Sequence, residues 1–136
     1  MVKEWGRAGR AAGGGFYDYP AGQKKMLWPE LKNRFEKSDA AYTPQDIKDR
    51  LLYRQAVETA RCLQEGVLTS VHDGNIGSIF GIGFPAWTGG ALQFIYAQGV
   101  DAFATRCAEL AVRYGAGFSL KAEVIDCLKR AQRTWP

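Results

Sequence analysis

Thr43-Pro44-Gln45-Asp46 is a strong helix start, and the residues beyond it commit most of the chain to a helical fold. The threonine hydroxyl can accept a bond from an unpaired first-turn amide, and proline suits the first helical position. Asp46 stands three residues past the cap, where a carboxylate favours the positive end of the helix dipole. Leu52, Ala56, Ala60 and Leu63 then recur at helical spacing, with Leu51 and Cys62 widening the stripe and Gly66 closing the segment. Lys48, Arg54, Glu58, Arg61 and Glu65 occupy the opposite face. Such a helix needs other elements against which to bury its apolar stripe.

The downstream sequence supplies them. A second helix is expected over 71–80, broken by Gly81 and Gly83 and kept from resuming by Pro85. Thr88 is expected to cap a third, with Leu92, Ile95 and Tyr96 inward and Gly99 at its end. Asp101 is expected to cap a fourth, carrying Phe103, Cys107, Leu110 and Tyr114, and stopped by Gly115 and Gly117. Ser119 is expected to cap the last, with Val124, Ile125, Leu128 and Ala131 as its apolar face. No stretch alternates in the manner of a strand. The fold class is therefore all-α, a compact bundle of about five helices around the first long one.

Residues 1–42 read differently, as an irregular tail and linker preceding a helical domain at 43–136. Glycine density across Gly6 to Pro20 argues against helix there. Phe16-Tyr17-Asp18-Tyr19 reads as a short extended piece ended by Pro20, and Leu27, Trp28, Pro29 and Leu31 form a small apolar cluster. The tail is expected to dock through its aromatics.

A length of 136 residues, 46% of them hydrophobic, suits one modest domain plus such a tail. No apolar run is long enough for a membrane-spanning helix. The opening Met1-Val2-Lys3-Glu4-Trp5-Gly6 lacks the pattern of a secretory signal and reads as an internal start. Cys62, Cys107 and Cys127 are odd in number, form no CxxC pair and sit in apolar helical patterns. They read as reduced thiols, which points to the cytosol or an organelle matrix and away from a disulfide framework or a metal site. The net charge of +4 is dispersed, with no stripe for nucleic acid. Lys3, Arg7, Arg10, Lys24 and Lys25 tilt the first stretch toward positive charge, which suits a solvated tail or contact with an anionic ligand.

Catalytic groupings are sparse. His72 lies beside Asp73, a possible acid–base pair, but neighbours in sequence rarely face each other on a helix. Gly13-Gly14-Gly15 precedes aromatics, and Gly81-Ile82-Gly83 follows a helix, so neither sits where a dinucleotide loop must. Thr88-Gly89-Gly90 can open a helix whose amides receive an anion, but close packing at a tight turn is the preferred reading. The corner that holds it, Gly81 to Gly90, concentrates Phe84, Pro85, Trp87, Gly89 and Gly90. Aromatics in such a link serve as core plugs or interface anchors.

Asp49-Arg50-Leu51-Leu52-Tyr53, Ala60-Arg61-Cys62-Leu63 with Glu65-Gly66, and the corner Gly83-Phe84-Pro85 with Thr88-Gly89-Gly90 together resemble the C-terminal helical domain of 3-hydroxyacyl-CoA dehydrogenases. The likeness extends through Gly99-Val100-Asp101-Ala102-Phe103 and Leu110-Ala111-Val112-Arg113-Tyr114-Gly115. It implies a bundle like the C-terminal part of 6-phosphogluconate dehydrogenase. Gly13-Gly14-Gly15-Phe16-Tyr17-Asp18-Tyr19-Pro20 is similar to the close of a first helical repeat in the multifunctional, hydratase-containing layout of that family. The remainder then resembles the second repeat. The resemblance further implies NAD in the parent enzyme and no cofactor in this chain. The expected partners are the preceding repeat and the dinucleotide-binding domain, with a homo-oligomer possible. In the catalytic repeat an asparagine near the start of the first long helix contacts substrate, and here the matching position is Asp49. A carboxylate cannot donate the same amide hydrogen bond. The resemblance thus implies a structural role in fatty-acid β-oxidation, the alternative being a module that contacts the phosphates of CoA.

Overall fold

The computed structural model describes residues 1–36 and 42–134, and the chain divides into two compact units, Met1–Ala41 and Tyr42–Pro136. The N-terminal unit is more ordered than an irregular tail. It holds a short helix α1 (Val2–Trp5), a 3-10 turn at Arg10–Ala12, an antiparallel pair β1 (Tyr17–Asp18) and β2 (Met26–Leu27), and α2 (Glu30–Phe35). Arg7 organises it. Its Nε donates to the Gly15 carbonyl at 2.8 Å and its Nη2 to the Tyr17 carbonyl at 3.2 Å. The same guanidinium pairs with Asp18 and lies 4.4 Å from the centre of the Trp28 ring. A Cβ at Gly14 would stand 2.7 Å from that guanidinium, so the glycine run makes room for the arginine. Trp5 packs on Trp28 and, edge-on, against Phe35.

The second unit is a bundle of α3 (Pro44–Gln64), α4 (Val71–Ile82), α5 (Ala91–Gln98), α6 (Val100–Tyr114) and α7 (Ala122–Thr134). Helix α3 touches α4, α5 and α7, so it forms the spine. Thr43 caps it, its Oγ1 accepting from the Asp46 amide at 3.0 Å. Tyr53, Ala56, Val57 and Ala60 bury against Leu92 and Ile95 of α5, Phe103, Cys107 and Leu110 of α6, and Leu128 of α7. The two alanines keep the spine slim where its neighbours approach. Tyr53 stacks on Phe103 with ring centres 4.8 Å apart.

The buried face of α3 keeps part of the stripe expected from apolar spacing, with Ala56 and Ala60 fully buried and Leu63 packed on the core, but shifts its first turns. Leu51 is 62% exposed and Leu52 half-buried, whereas Asp46, Asp49 and Tyr53 turn inward. The inward set keeps the helical period but includes two carboxylates, which pair with arginines of α6. A pattern of hydrophobicity alone passes over them.

Three helix starts also differ. Helix α5 begins at Ala91 with Gly90 as its cap, because the Thr88 hydroxyl is used inside a 3-10 turn at Ala86–Thr88. Helix α6 begins two residues early, capped at Gly99, leaving Asp101 in its first turn. Ser119 ends a 3-10 turn at Ala116–Phe118, and α7 starts at Ala122. Helix α4 runs through Gly81 to Ile82 and stops at Gly83. The cost of one glycine in a helix, about 1 kcal/mol, is too small to end it alone. No described helix is long and apolar enough to cross a membrane.

Candidate functional site

A groove of about 810 Å3 opens in the helical unit between the first half of α3 and the α4–α5 corner. Asp49, Lys48 and Leu52 come to it from α3, Pro85 and Trp87 from the corner, and Phe94 and Gln98 from α5. The structure therefore brings Asp49 and part of the glycine-rich corner into the walls of one groove.

The corner residues divide by role. Phe84 is 2% exposed and meets the Phe94 ring edge-on with centres 5.9 Å apart, so it is a core plug. Trp87 is 80% exposed at the groove's edge. Gly89 is exposed and adopts φ +79°. Gly90 is buried, with φ +110°, and a Cβ there would stand 2.5 Å from the Asn75 Cα. No L side chain fits that combination of backbone angle and contact.

Asn75 and Ser78 of α4 hold this corner. The Asn75 Oδ1 accepts from the amides of Leu92 at 3.0 Å and Gln93 at 2.9 Å, while the Ser78 Oγ accepts from Ala91 at 3.0 Å. These are the first-turn donors of α5. Sequence reading missed both residues, although two small polar groups three apart in an apolar helix are a signal. The amides of the Thr88-Gly89-Gly90 helix start already have protein acceptors, in keeping with the preferred reading of close packing at a tight turn rather than an anion site.

Asp49 is likewise spent. Its Oδ2 accepts from Arg106 Nε at 2.9 Å and Nη2 at 2.7 Å, and its Oδ1 from Gln45 Nε2 at 2.7 Å. Arg106 reaches Asp46 at 3.2 Å and Glu109 at 2.7 Å, and Arg113 binds Asp46 at 3.0 Å. Burial pushes the Asp46 carboxyl up, but bonds from Thr43, Arg113 and Arg106 outweigh it and hold its pKa below the ordinary value. Bonds to Glu109 and Asp49, outweighing burial, raise the Arg106 pKa. Burial, with the Asp49 charge adding to it, pushes the Tyr53 phenol to about 12.

His72 lies outside the groove, in the first turn of α4, with its Nδ1 3.8 Å from an Asp73 oxygen and both side chains largely exposed. Asp73 works as a cap partner: its amide donates to the Ser70 hydroxyl, which in turn donates to the Asp73 carboxylate. Cys107 is buried, and burial pushes its thiol to about 12. Among the described residues no group of His, Cys, Asp and Glu could hold a metal ion.

These features define a helical packing domain whose buried charges pair with one another and whose groove beside α3 carries an exposed tryptophan. No family profile matches the chain. It is 33% identical over 114 residues to the fatty acid oxidation complex subunit alpha of Vibrio vulnificus (strain CMCP6), covering 84% of this chain. It is 34% identical over 110 residues to the same-named subunit of Vibrio parahaemolyticus serotype O3:K6, covering 81%. The chain spans 16% of the length of each of these curated relatives. It is thus homologous to a segment of fatty acid oxidation complex alpha subunits, and the match fits a C-terminal portion of that multifunctional protein.

Proposed function

We propose that the chain is the second, non-catalytic helical repeat of an NAD-dependent 3-hydroxyacyl-CoA dehydrogenase with an enoyl-CoA hydratase part, acting in fatty-acid β-oxidation in the cytosol or an organelle matrix. In this reading 1–42 closes the preceding repeat and links to a domain at 43–136 of the 6-phosphogluconate dehydrogenase C-terminal type. NAD belongs to the parent's dinucleotide-binding domain, and this chain supplies shape.

The observation that carries the reading is the state of Asp49. A residue positioned to meet substrate keeps a free hydrogen-bonding edge toward the groove. Both Asp49 oxygens are instead engaged by Arg106 and Gln45. The groove edge beside it offers Trp87 and Leu51, both exposed, as an apolar rim for the preceding repeat or, in the isolated chain, for a second copy.

Deleting the parent enzyme from Thr43 onward tests this. The expected result is a less stable enzyme with reduced 3-hydroxyacyl-CoA turnover while NAD binding persists. Unchanged turnover and stability would sink the proposal. So would turnover of a 3-hydroxyacyl-CoA by this chain alone.

A further inference from the structure

We infer that the N-terminal unit carries a binding site for the phosphate of a small organic phosphate, in the cleft beside β1 that Arg10 and Lys25 line. Strand β1 ends at Asp18, and Tyr19 follows it directly. The Lys25 Nζ lies 4.6 Å from the centre of the Tyr17 ring, and the Arg10 guanidinium 5.8 Å from that of Tyr19. Two cations are thus held over two rings beside the short ladder.

The acid of that strand, Asp18, is engaged by Arg7. Among the described residues neither Arg10 nor Lys25 makes an ion pair. The cleft they line measures about 560 Å3, and among the described residues no carboxylate is in its walls. Two cations lining one cleft, with no counter-charge among the described residues, repel each other, and an anion between them relieves that. Tyr19, Pro20 and Gln23 also line the cleft, and its volume exceeds that of phosphate alone. They provide a ring face, an apolar edge and an amide for the organic part of the ligand. The inference does not depend on the non-catalytic role proposed for the helical unit.

Calorimetry of the full chain at low salt tests it, with AMP, ribose phosphate, inorganic phosphate and adenosine as probes. Saturable binding of AMP with none of adenosine is expected. Binding of ribose phosphate as well would mark a general phosphate-ester site, and its absence a nucleotide site; either supports the inference. Each charge-assisted bond is worth about ten-fold in affinity, so the Arg10→Ala/Lys25→Ala double variant should bind about a hundred-fold more weakly. The Arg10→Lys/Lys25→Arg variant should retain most of the affinity, and added salt should lower it. No saturable binding of AMP, equal binding of adenosine, inorganic phosphate binding as tightly as AMP, or undiminished affinity in a folded double-alanine variant would each overturn it.

Discussion

Arg106 grips Asp49 with two nitrogens on a single carboxylate oxygen, at 2.9 and 2.7 Å, across the packing of α6 on α3. The same guanidinium reaches Asp46 and Glu109, so one side chain pairs with three acids. Replacing it leaves two inward carboxylates short of a partner. Arg106→Met should destabilise the helical unit by about 2–3 kcal/mol, less than a fully buried break because the guanidinium is a quarter exposed. Asp49→Asn, which keeps a polar group beside Gln45 and leaves Arg106 two other acids, should cost less. Urea unfolding of both variants checks the order.

The capping of α5 from α4 makes a second prediction. Asn75→Ala strips the acceptor from two first-turn amides and should cost about 2 kcal/mol. Gly90→Ala should cost at least as much, since it meets both the wrong backbone angle and the Asn75 backbone. Gly81→Ala should instead stabilise by about 0.5–1 kcal/mol, because that glycine is inside α4 with nothing within 4 Å of its added carbon. Thermal unfolding of the three variants separates these signs.

Acid sensitivity arises from Asp46. Its folded-state pKa lies below the unfolded value of 3.8, so its stabilisation is present above that value and is lost as pH falls through the folded one. The urea midpoint should decline below about pH 4, and Asp46→Asn should flatten the decline. At the alkaline end the sign reverses. Tyr53 and Tyr96 are both raised to about 12 from 10.0, chiefly by burial, so stability should fall as pH rises from 10.0 toward 12. Absorbance titration of phenolate should show two tyrosines ionising late.

Thiol chemistry should separate Cys107 from Cys62 and Cys127, which are half-buried. Under native conditions a thiol reagent should modify those two first. Cys107 should react only as fast as the bundle opens, because it is buried and its thiolate is disfavoured.

Trp87 tests the proposed apolar rim. At 80% exposure its change to alanine should alter the isolated chain's stability by less than about 0.5 kcal/mol. In the parent enzyme the same change should loosen the assembly, seen as a lower inactivation temperature. Equal effects in chain and parent would count against the rim.

Much of the bundle is legible in the residues because its signals are local. The cap at Thr43, the spacing of Phe103, Cys107 and Leu110, and the breaks at Gly99 and Gly115 each act within one turn of helix. The starts of α5 and α7 depart from local cap chemistry for a related reason. Thr88 and Ser119 are good caps by type, but the chain uses them in 3-10 turns set by contacts farther away.

The sequence by itself determined which segments of the bundle beyond Thr43 are helical, that one long capped helix would be the spine, and that the Gly81–Gly90 corner was exceptional. Only the tertiary structure decided that two carboxylates join the buried face of that spine and what the corner's polar neighbours do. Asp46 and Asp49 look like solvent residues until Arg106, fifty-seven positions beyond Asp49, arrives to pair with them. Asn75 looks like a weak helix former until Leu92 and Gln93 present their amides to it. A charge or a polar group can be buried only where its partner is, and that partner is placed by the packing of helices rather than by its distance along the chain.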